Sequence, residues 1–445
     1  MNGLIIVRHG KVIAEGWWKP YDAKTPHILY SLSKSFTSTA VGLAISEGKL
    51  SLDDQVIKFF PEETPENVSN NLKSMRIRDL LRMQTGHQSE PQFFGPASSS
   101  SDTWVRKFLN HPVPFKPGTH FLYNSPATYM LSAILRKVTG VGLVEYLRPR
   151  LFAPLGFEDV KWVESPQGIA AGAYGLSATT EEIARFGQLY LGKGNWQGSQ
   201  LIPADWVAQA TALQTSNGSS PLSDWDQGYG YQFWRSRNHA YRGDGAFGQY
   251  CLVIPEQDTV IAIHSGVKDM QKVLNLVWDK LLPEFKSTAL KADQSVNRKL
   301  LEKLKALEVK TVPGRKTSGL SAGINGRWYT LEKNDRGLTE VSFEDGPSTT
   351  TIRFRTSTGE SSVAAEPGRW HIAKAAWSNG LDQLLSVPEK PMVASTGAWT
   401  SEDTFTLKLL LPQTPFYSTL RFSFSGDGIS LESEHNVSFA PTKQA

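Results

Sequence analysis

A serine and a lysine three residues apart form the first pattern with chemical potential, within Ser31-Leu32-Ser33-Lys34. On a helix, such residues lie on one face, one turn apart. A serine that opens the helix places its hydroxyl at the positive end of the helix dipole, which favours developing negative charge. A neutral Lys34 could then act as a base, and acyl transfer to a serine needs this activation. Because the pattern is common by chance, a helix-capping serine with a surface lysine is the alternative.

A tyrosine with two small polar neighbours precedes a second helical pattern. Tyr123, Asn124 and Ser125 end the segment Pro117–Ser125, just before the apolar helical pattern of Tyr129–Val138. A phenol near a lysine ammonium can have a lowered pKa and shuttle a proton. A tyrosine that packs in the core, capped by the two polar residues, is the other interpretation.

A glycine-rich segment, Gly243–Gly248 (Gly-Asp-Gly-Ala-Phe-Gly), matches the spacing of a dinucleotide-binding loop. A predicted strand follows it rather than a helix, which argues against a dinucleotide site. Glycines at a strand edge instead favour a ligand that approaches the backbone closely. A backbone N–H at such an edge can help to form an oxyanion hole.

The elements that must position these residues form an α/β layered unit. Apolar runs at Gly3–Val7 and Lys11–Trp17 predict a β-hairpin, and Gln88–Asp102 is predicted to be a surface loop. The helices are predicted at Ser31–Glu47, Tyr129–Val138, Thr180–Leu191 and Met270–Leu281, and later strands at Tyr229–Trp234, Gly248–Pro255 and Thr259–Ser265. Strands at both ends of this unit are expected to share one sheet.

The composition changes near Leu290. Asp293–Leu307 is a charged amphipathic segment that predicts a linking helix, and Thr311–Gly326 is rich in Gly, Ser and Pro. Beyond it, apolar residues alternate with a period of two, which predicts a small antiparallel β-domain, either a sandwich or a barrel. We therefore expect a first domain at residues 1–290, a linker at 291–320 and a β-domain at 321–445.

Composition and charge exclude several classes of function. The 445 residues carry 47 Lys and Arg against 43 Asp and Glu, with no dense basic run, so neither nucleic acid nor a membrane is an expected partner. One cysteine excludes an internal disulfide framework, and the nine histidines show no metal-ligand spacing. No metal or cofactor is predicted. The amino-terminal residues lack the pattern of a signal peptide, which indicates a cytoplasmic protein or one whose leader has been removed.

The sequence resembles the group of serine β-lactamases, penicillin-binding proteins and esterases, particularly the class C-like hydrolases, over roughly Gly3–Pro283. The resemblance includes the Ser-x-x-Lys helix and the Pro-Gly-x-x-Phe-x-Tyr approach to Tyr123. It also includes Arg78–His87, similar to the family's Leu-Leu-x-x-x-(Ser/Thr)-Gly segment, and the Gly-Leu-Ser-Ala-Thr stretch that starts at Gly175. It implies a β-lactamase-like antiparallel sheet flanked by helices, with the C-terminal β-domain appended.

The resemblance also implies roles for individual residues. Ser31 matches the nucleophile that forms an acyl-enzyme, and Lys34 matches the residue that polarises it. Tyr123 matches the tyrosine that takes and returns the proton. The N–H groups of Ser31 and Ala246 match the two donors of the oxyanion hole.

Two motifs depart from the family pattern. The resemblance implies that the second and third motifs bind substrate, through Asn124, Ser125, Gly243, Asp244 and Gly245. Ser125 stands where many relatives have Asn, and Asn124 lies one place early. The third motif, usually Lys/His-Thr/Ser-Gly, reads Gly243-Asp244-Gly245 here. The missing cation removes a partner for a substrate carboxylate, which favours neutral esters or amides.

Further side chains are candidates for the substrate pocket. His87 lies near a family motif, and the aromatic residues Tyr174, Tyr231 and Trp234 suit an apolar pocket. Core packing explains each of them nearly as well.

Three functions remain open on the sequence. The first is a serine hydrolase that cleaves a small ester or amide through an acyl-enzyme on Ser31. The second is an acyltransferase that passes the same acyl group to an organic acceptor. The third is a non-catalytic binding or sensing module on the same fold. A small molecule is the expected partner, a homo-oligomer is an open option, and the β-domain could cover the cleft, build a dimer or stabilise the first domain.

Overall fold

The computed structural model describes residues 1–92, 102–334, 337–357, 359–377, 391–439 and 443–444. The helices are α1 Ser33–Ser46, α2 Asn70–Ser74, α3 Ile77–Leu81, α4 Trp104–Asn110, α5 Ser125–Thr139, α6 Leu143–Leu147, α7 Thr180–Leu191, α8 Ala204–Thr211, α9 Met270–Leu276, α10 Gln294–Lys305 and α11 Ser321–Ile324. The strands that precede α10 are β1 Gly3–Arg8, β2 Lys11–Trp17, β3 His27–Ile28, β4 Ser177–Ala178, β5 Asn195–Trp196, β6 Ser199–Gln200, β7 Trp234–Arg235, β8 Tyr241–Gly245, β9 Gln249–Ile254 and β10 Thr259–His264.

The part of the chain before α10 is built around a six-stranded antiparallel sheet in the order β2-β1-β10-β9-β8-β7. β1 pairs with β10, which confirms that strands from both ends of this unit share one sheet. Every residue of β9 and β10 is buried, as expected for strands covered on both faces. Alternate residues face two layers: Val253 and Val260 lie in the core with α1, α5 and α7, and Leu252 and Ile261 lie in the core with α9.

The predicted strand at Tyr229–Trp234 is wrong over most of its length, because only Trp234–Arg235 pairs as β7. Gln232 has a left-handed backbone (φ 65°), which breaks the extended conformation. Its side-chain amide donates hydrogen bonds to the carbonyls of Leu80 and Leu81, at 3.2 and 2.8 Å. Long-range hydrogen bonding therefore overrides the local strand preference of this aromatic segment.

The C-terminal part is all β apart from the short α11. Its strands are β11 Trp328–Thr330, β12 Leu338–Asp345, β13 Thr350–Thr356, β14 Gly359–Ala365, β15 His371–Lys374, β16 Met392–Trp399, β17 Thr404–Leu410, β18 Tyr417–Ser425, β19 Gly428–His435 and β20 Lys443–Gln444. They form sheets of four (β11–β14) and six (β15–β20) strands with one common core that includes Phe343, Phe354 and Phe422. Over the described residues the two sheets do not close into a barrel, so the sandwich is the better description.

The predicted linking helix is present as α10, and it packs along β2. A Cβ at Gly16 would lie 2.7 Å from Leu307 and 3.2 Å from Leu304, so the two elements approach closely. The domain boundaries at residues 290 and 320 stay a prediction. None of the helices in the described ranges is both long enough and apolar enough to cross a bilayer.

Two buried histidines stack where β3 meets the six-stranded sheet that contains β10. The rings of His27 and His264 lie 4.4 Å apart at 30°, and each side chain is at most 3% exposed. Burial lowers the pKa of His27 to about 4 and lowers that of His264 well below its usual value. Both rings are therefore neutral at physiological pH.

The chain's one cysteine, Cys251, lies on β9 with its side chain in the core. Burial raises the pKa of its thiol to about 12. The reactive thiolate is therefore scarce at neutral pH.

Candidate active site

Ser31 lies in a 3₁₀ turn, Tyr30–Leu32, that leads directly into α1. The residue before it, Tyr30, has a left-handed backbone (φ 48°). For a bulky residue this conformation is unfavourable by about 1–2 kcal/mol, so surrounding contacts must hold it in place. The turn presents Ser31 at the amino-terminal end of a 14-residue helix, where the helix dipole favours negative charge.

Lys34 is one turn further on and is almost completely buried, at 1% exposed. Its Nζ lies 3.1 Å from Ser31 Oγ, 3.3 Å from Ser125 Oγ and 3.0 Å from the carbonyl oxygen of Ala173. Burial lowers the pKa of Lys34 to about 7, although the carboxylates of Glu90 and Asp244 oppose this shift. Near neutral pH a large fraction of Lys34 is therefore a free amine in hydrogen-bond contact with the Ser31 hydroxyl.

Tyr123 completes the cluster from the segment before α5. Its hydroxyl is hydrogen-bonded to Ser31, its ring lies 4.8 Å from Lys34 Nζ, and it stacks on Trp234 at 5.2 Å. The expectation of a lowered phenol pKa is wrong. Burial raises the pKa of Tyr123, and the negative charge of Asp244 raises it further. Tyr123 is therefore a neutral phenol that can donate or relay a proton.

The end of β8 passes very close to the serine turn. A Cβ at Gly245 would lie 1.9 Å from the carbonyl oxygen of Leu29 and 3.2 Å from the backbone nitrogen of Ser31. Only glycine allows this approach. Ala246, the next residue, packs against the hydrophobic cluster that contains Tyr30, the residue before Ser31.

The third motif contains a buried ion pair. Asp244 Oδ2 accepts a hydrogen bond from Arg242 Nε at 2.9 Å and lies 2.8 Å from Arg242 Nη2. Arg242 is fully buried against the rings of Trp225 and Trp234. Gly243, between them, packs against α1, since a Cβ there would lie 2.6 Å from Ser35 Oγ. Arg242 is therefore committed to Asp244 and is unavailable to a substrate carboxylate.

The two residues after Tyr123 have different environments. Ser125 begins α5 and its hydroxyl contacts Lys34. Asn124 is the N-cap of α5 and is fully buried, with its side chain bonded to Ala127 N, Thr85 and His87. Because its side chain is fully buried on these partners, Asn124 holds the helix start, and its contact with substrate stays a prediction.

Two further pocket candidates pack in the interior. His87 is 1% exposed and contacts Thr85 and the ring of Phe108, and burial lowers its pKa to about 4. Tyr231 stacks on Trp206 beneath the middle of α1, about two turns beyond Ser31, so it is not beside Ser31. For both residues the packing interpretation replaces the predicted pocket role.

Two aromatic candidates lie close to the cluster. Tyr174 is partly exposed and follows Ala173, whose carbonyl contacts Lys34. Trp234 stacks on Tyr123 and so fixes the orientation of the phenol.

The comparison with known families decides the relationship. The family model described as Beta-lactamase matches residues 3–273, which is more than half of the chain. The chain belongs to the beta-lactamase family. The match ends before α10, so it covers the six-stranded sheet of β1 and β10 and the serine cluster but not the C-terminal sheets.

The proteins similar to this chain include several that are named as hydrolases. The 6-aminohexanoate-dimer hydrolase of Paenarthrobacter ureafaciens is 26% identical over 295 residues, which cover 60% of this chain and 73% of that protein. A protein of Escherichia coli K12 proposed to be a D-alanyl-D-alanine carboxypeptidase is 26% identical over 367 residues, covering 63% and 82%. A solved structure from Bacillus anthracis, proposed to be a 6-aminohexanoate-dimer hydrolase, superposes with a TM-score of 0.53 at 21% identity, covering 63% and 78%. That structure shows the fold alone.

Glu90 is a site residue that the sequence analysis missed. Its Oε1 accepts a hydrogen bond from the backbone N–H of Ser125 at 2.7 Å, and its charge acts on Lys34 and Tyr123. It lies in the predicted loop Gln88–Asp102, of which residues 93–101 lie outside the described part. A lone glutamate in a polar loop carries no sequence signal for such a contact. Within the described ranges no three His, Cys, Asp or Glu side chains cluster as a metal site.

Proposed function

We propose that this chain is a serine hydrolase that forms an acyl-enzyme on Ser31 and cleaves a small neutral ester or amide. The observation that supports it is the convergence of three groups. The Ser31 hydroxyl lies 3.1 Å from the Lys34 amine and is hydrogen-bonded to the Tyr123 phenol, at the start of a helix. A nucleophile, a base and a proton donor in contact are what nucleophilic catalysis by serine requires.

Acylation begins when Ser31 Oγ attacks the carbonyl carbon and its proton passes to neutral Lys34. The resulting oxyanion accepts hydrogen bonds from the N–H groups of Ser31 and Ala246. The C–O or C–N bond of the substrate then breaks. The leaving oxygen or nitrogen takes the proton of the Tyr123 hydroxyl, which is replaced by the proton held on Lys34.

Deacylation repeats these transfers with water. A water molecule attacks the ester carbonyl of acylated Ser31, and its proton passes to Lys34. Ser31 Oγ then leaves and regains a proton, which releases the carboxylic acid and restores the free site. The preference for neutral substrates follows from Arg242, whose charge is buried and paired with Asp244.

Labelling with a fluorophosphonate, followed by intact-mass and peptide analysis, tests the proposal. We expect one adduct, on Ser31, together with turnover of p-nitrophenyl acetate. Ser31→Ala should lose both, and Ser33→Ala, which changes a serine two residues away, should keep the adduct. A folded protein without an adduct on Ser31 contradicts the proposal and favours the binding module. Transfer of the acetyl group to added alcohol, in place of hydrolysis, favours the acyltransferase.

A further inference from the structure

Four aromatic side chains join the C-terminal β-domain to the proposed oxyanion site. Tyr30 and Phe247 belong to the part of the chain built around the six-stranded sheet, which we call the catalytic unit. Phe416 and Phe439 belong to the β-domain. Phe416 lies 5.5 Å from Phe247 and 6.4 Å from Tyr30, and Phe439 lies 4.7 and 5.9 Å from the same two rings. We call these four residues the aromatic clamp.

The clamp holds the two residues that flank the proposed N–H donors. Tyr30 immediately precedes Ser31, and Phe247 immediately follows Ala246. Both have left-handed backbones, with φ of 48° and 65°, which bulky residues adopt only when their surroundings enforce it. Their rings contact each other edge to face at 5.8 Å. The side chains that enforce these conformations include two from the β-domain.

The β-domain fastens this contact with hydrogen bonds. The Asn436 amide donates to the carbonyls of Gly266, beyond β10, and of Pro415, at 3.1 and 2.8 Å. The backbone N–H of Ile28 donates to the carbonyl of Gln413 at 2.9 Å. A Cβ at Gly266 would lie only 2.2 Å from the Pro415 carbonyl oxygen, so the two domains are in close backbone contact. The turn that carries Phe416 is therefore fixed to the catalytic unit on both sides.

We infer that Phe416 and Phe439 of the C-terminal β-domain are positioning residues for the oxyanion hole. They hold the left-handed residues Tyr30 and Phe247, and thereby set the directions of the Ser31 and Ala246 N–H groups. The inference rests on the proposed function. It assigns the β-domain a part in catalysis, in place of the open roles of cover, dimer interface or general stabiliser. Oxyanion donors act in proportion to how well they are aligned before the reaction, so small displacements of the two N–H groups lower kcat.

Matched phenylalanine substitutions test this role. Phe416→Leu opens the clamp, and Phe424→Leu makes the same change in the separate core of the β-domain, where Phe424 is 6% exposed beside Tyr329 and Phe343. We expect Phe416→Leu to lower kcat for p-nitrophenyl acetate about tenfold with little change in KM, and Phe424→Leu to change kcat less than about twofold. Phenylboronic acid forms a tetrahedral adduct with a serine. Its affinity for the Phe416→Leu variant should therefore fall by the same factor as kcat.

Phe439→Ala keeps the test decisive if Phe416→Leu fails to fold. Phe439 is 65% exposed, so its removal leaves the core intact, and Ile372→Ala, at an exposed residue of β15, is its control. We expect Phe439→Ala to lower kcat and boronate affinity together about fivefold. Unchanged kcat in Phe439→Ala and in a folded Phe416→Leu overturns the inference, as does an equal loss in the control variants. Absence of turnover and of a Ser31 adduct in the unaltered chain is a different result, which overturns the proposed function itself.

Discussion

Lys34 Nζ lies 3.1 Å from Ser31 Oγ, inside a site where burial lowers the pKa of the lysine to about 7. A lysine with its usual pKa of about 10.4 would be almost wholly protonated at neutral pH and could not accept a proton. Desolvation therefore gives Lys34 the property that the proposed base needs.

This pKa predicts the pH dependence of turnover. Only the neutral amine accepts the Ser31 proton, so kcat/KM for p-nitrophenyl acetate should rise with pH and level off, with a midpoint near pH 7. Lys34→Arg, which stays protonated, should lower kcat/KM by about 10²–10⁴-fold across the range. A pH-independent rate from pH 5 to 9 would show that Lys34 is not the base.

A second prediction concerns the phenol of Tyr123. Tyr123→Phe removes the proposed proton donor and should lower kcat by about 10²-fold or more. Tyr229→Phe is the matched control, because Tyr229 is a buried tyrosine whose ring lies 6.2 Å from that of Tyr123. We expect the control to keep kcat within about threefold of the unaltered chain, since no proton transfer in the proposal uses Tyr229. Equal losses in both variants would show that packing of the aromatic cluster, and not the Tyr123 hydroxyl, is what matters.

Gly245→Ala should inactivate the site by steric means. The added Cβ would meet the Leu29 carbonyl oxygen at 1.9 Å, which forces β8 and the serine turn apart. We expect a loss of about 10²-fold or more in kcat and a destabilisation of about 1–3 kcal/mol in urea unfolding. Gly319→Ala, where an added Cβ meets nothing within 4 Å, should leave both quantities unchanged. Full activity in Gly245→Ala contradicts the proposed place of the oxyanion hole.

The stacked histidines predict a loss of stability in acid. The unfolded chain protonates His27 near pH 6.5, whereas the folded chain resists protonation until about pH 4. The free energy of unfolding should therefore fall as the pH drops from about 6.5 to about 4, with roughly 3 kcal/mol attributable to His27. Urea unfolding should show a flatter pH profile for His27→Gln, and the profile of the exposed control His371→Gln should match that of the unaltered chain. Parallel profiles for His27→Gln and the unaltered chain would contradict this account.

Local sequence rules predict the parts of the site that are close in the chain. Ser31 and Lys34 are one helical turn apart, so the fold of α1 alone brings them together, and the pattern identifies the pair. The local pattern marks Tyr123 only as a tyrosine followed by two small polar residues, which fits a core tyrosine equally well, and the resemblance to a family motif assigns its role. The hairpin of β1 and β2 and the buried strands β9 and β10 were likewise predictable from their apolar patterns.

The remaining site features depend on contacts between distant segments. Its aromatic neighbours make Tyr231 a candidate for the substrate pocket. The left-handed turn at Gln232 directs the chain beneath α1 instead. The pKa of Tyr123 rises because burial and the charge of Asp244 outweigh the hydrogen bond to Ser31 and the charge of Arg242, and burial is a property of the assembled core. The contact of Phe416 with Tyr30 joins residues almost 400 positions apart, beyond the reach of any periodicity argument.

The burial of Cys251 makes this chain suited to fluorescence labelling. Maleimide dyes react with exposed thiolates, and the single native thiol is both buried and held protonated near neutral pH. A cysteine placed at an exposed residue such as Ile372 would be the only thiol that a dye reaches, with no native cysteine to remove first.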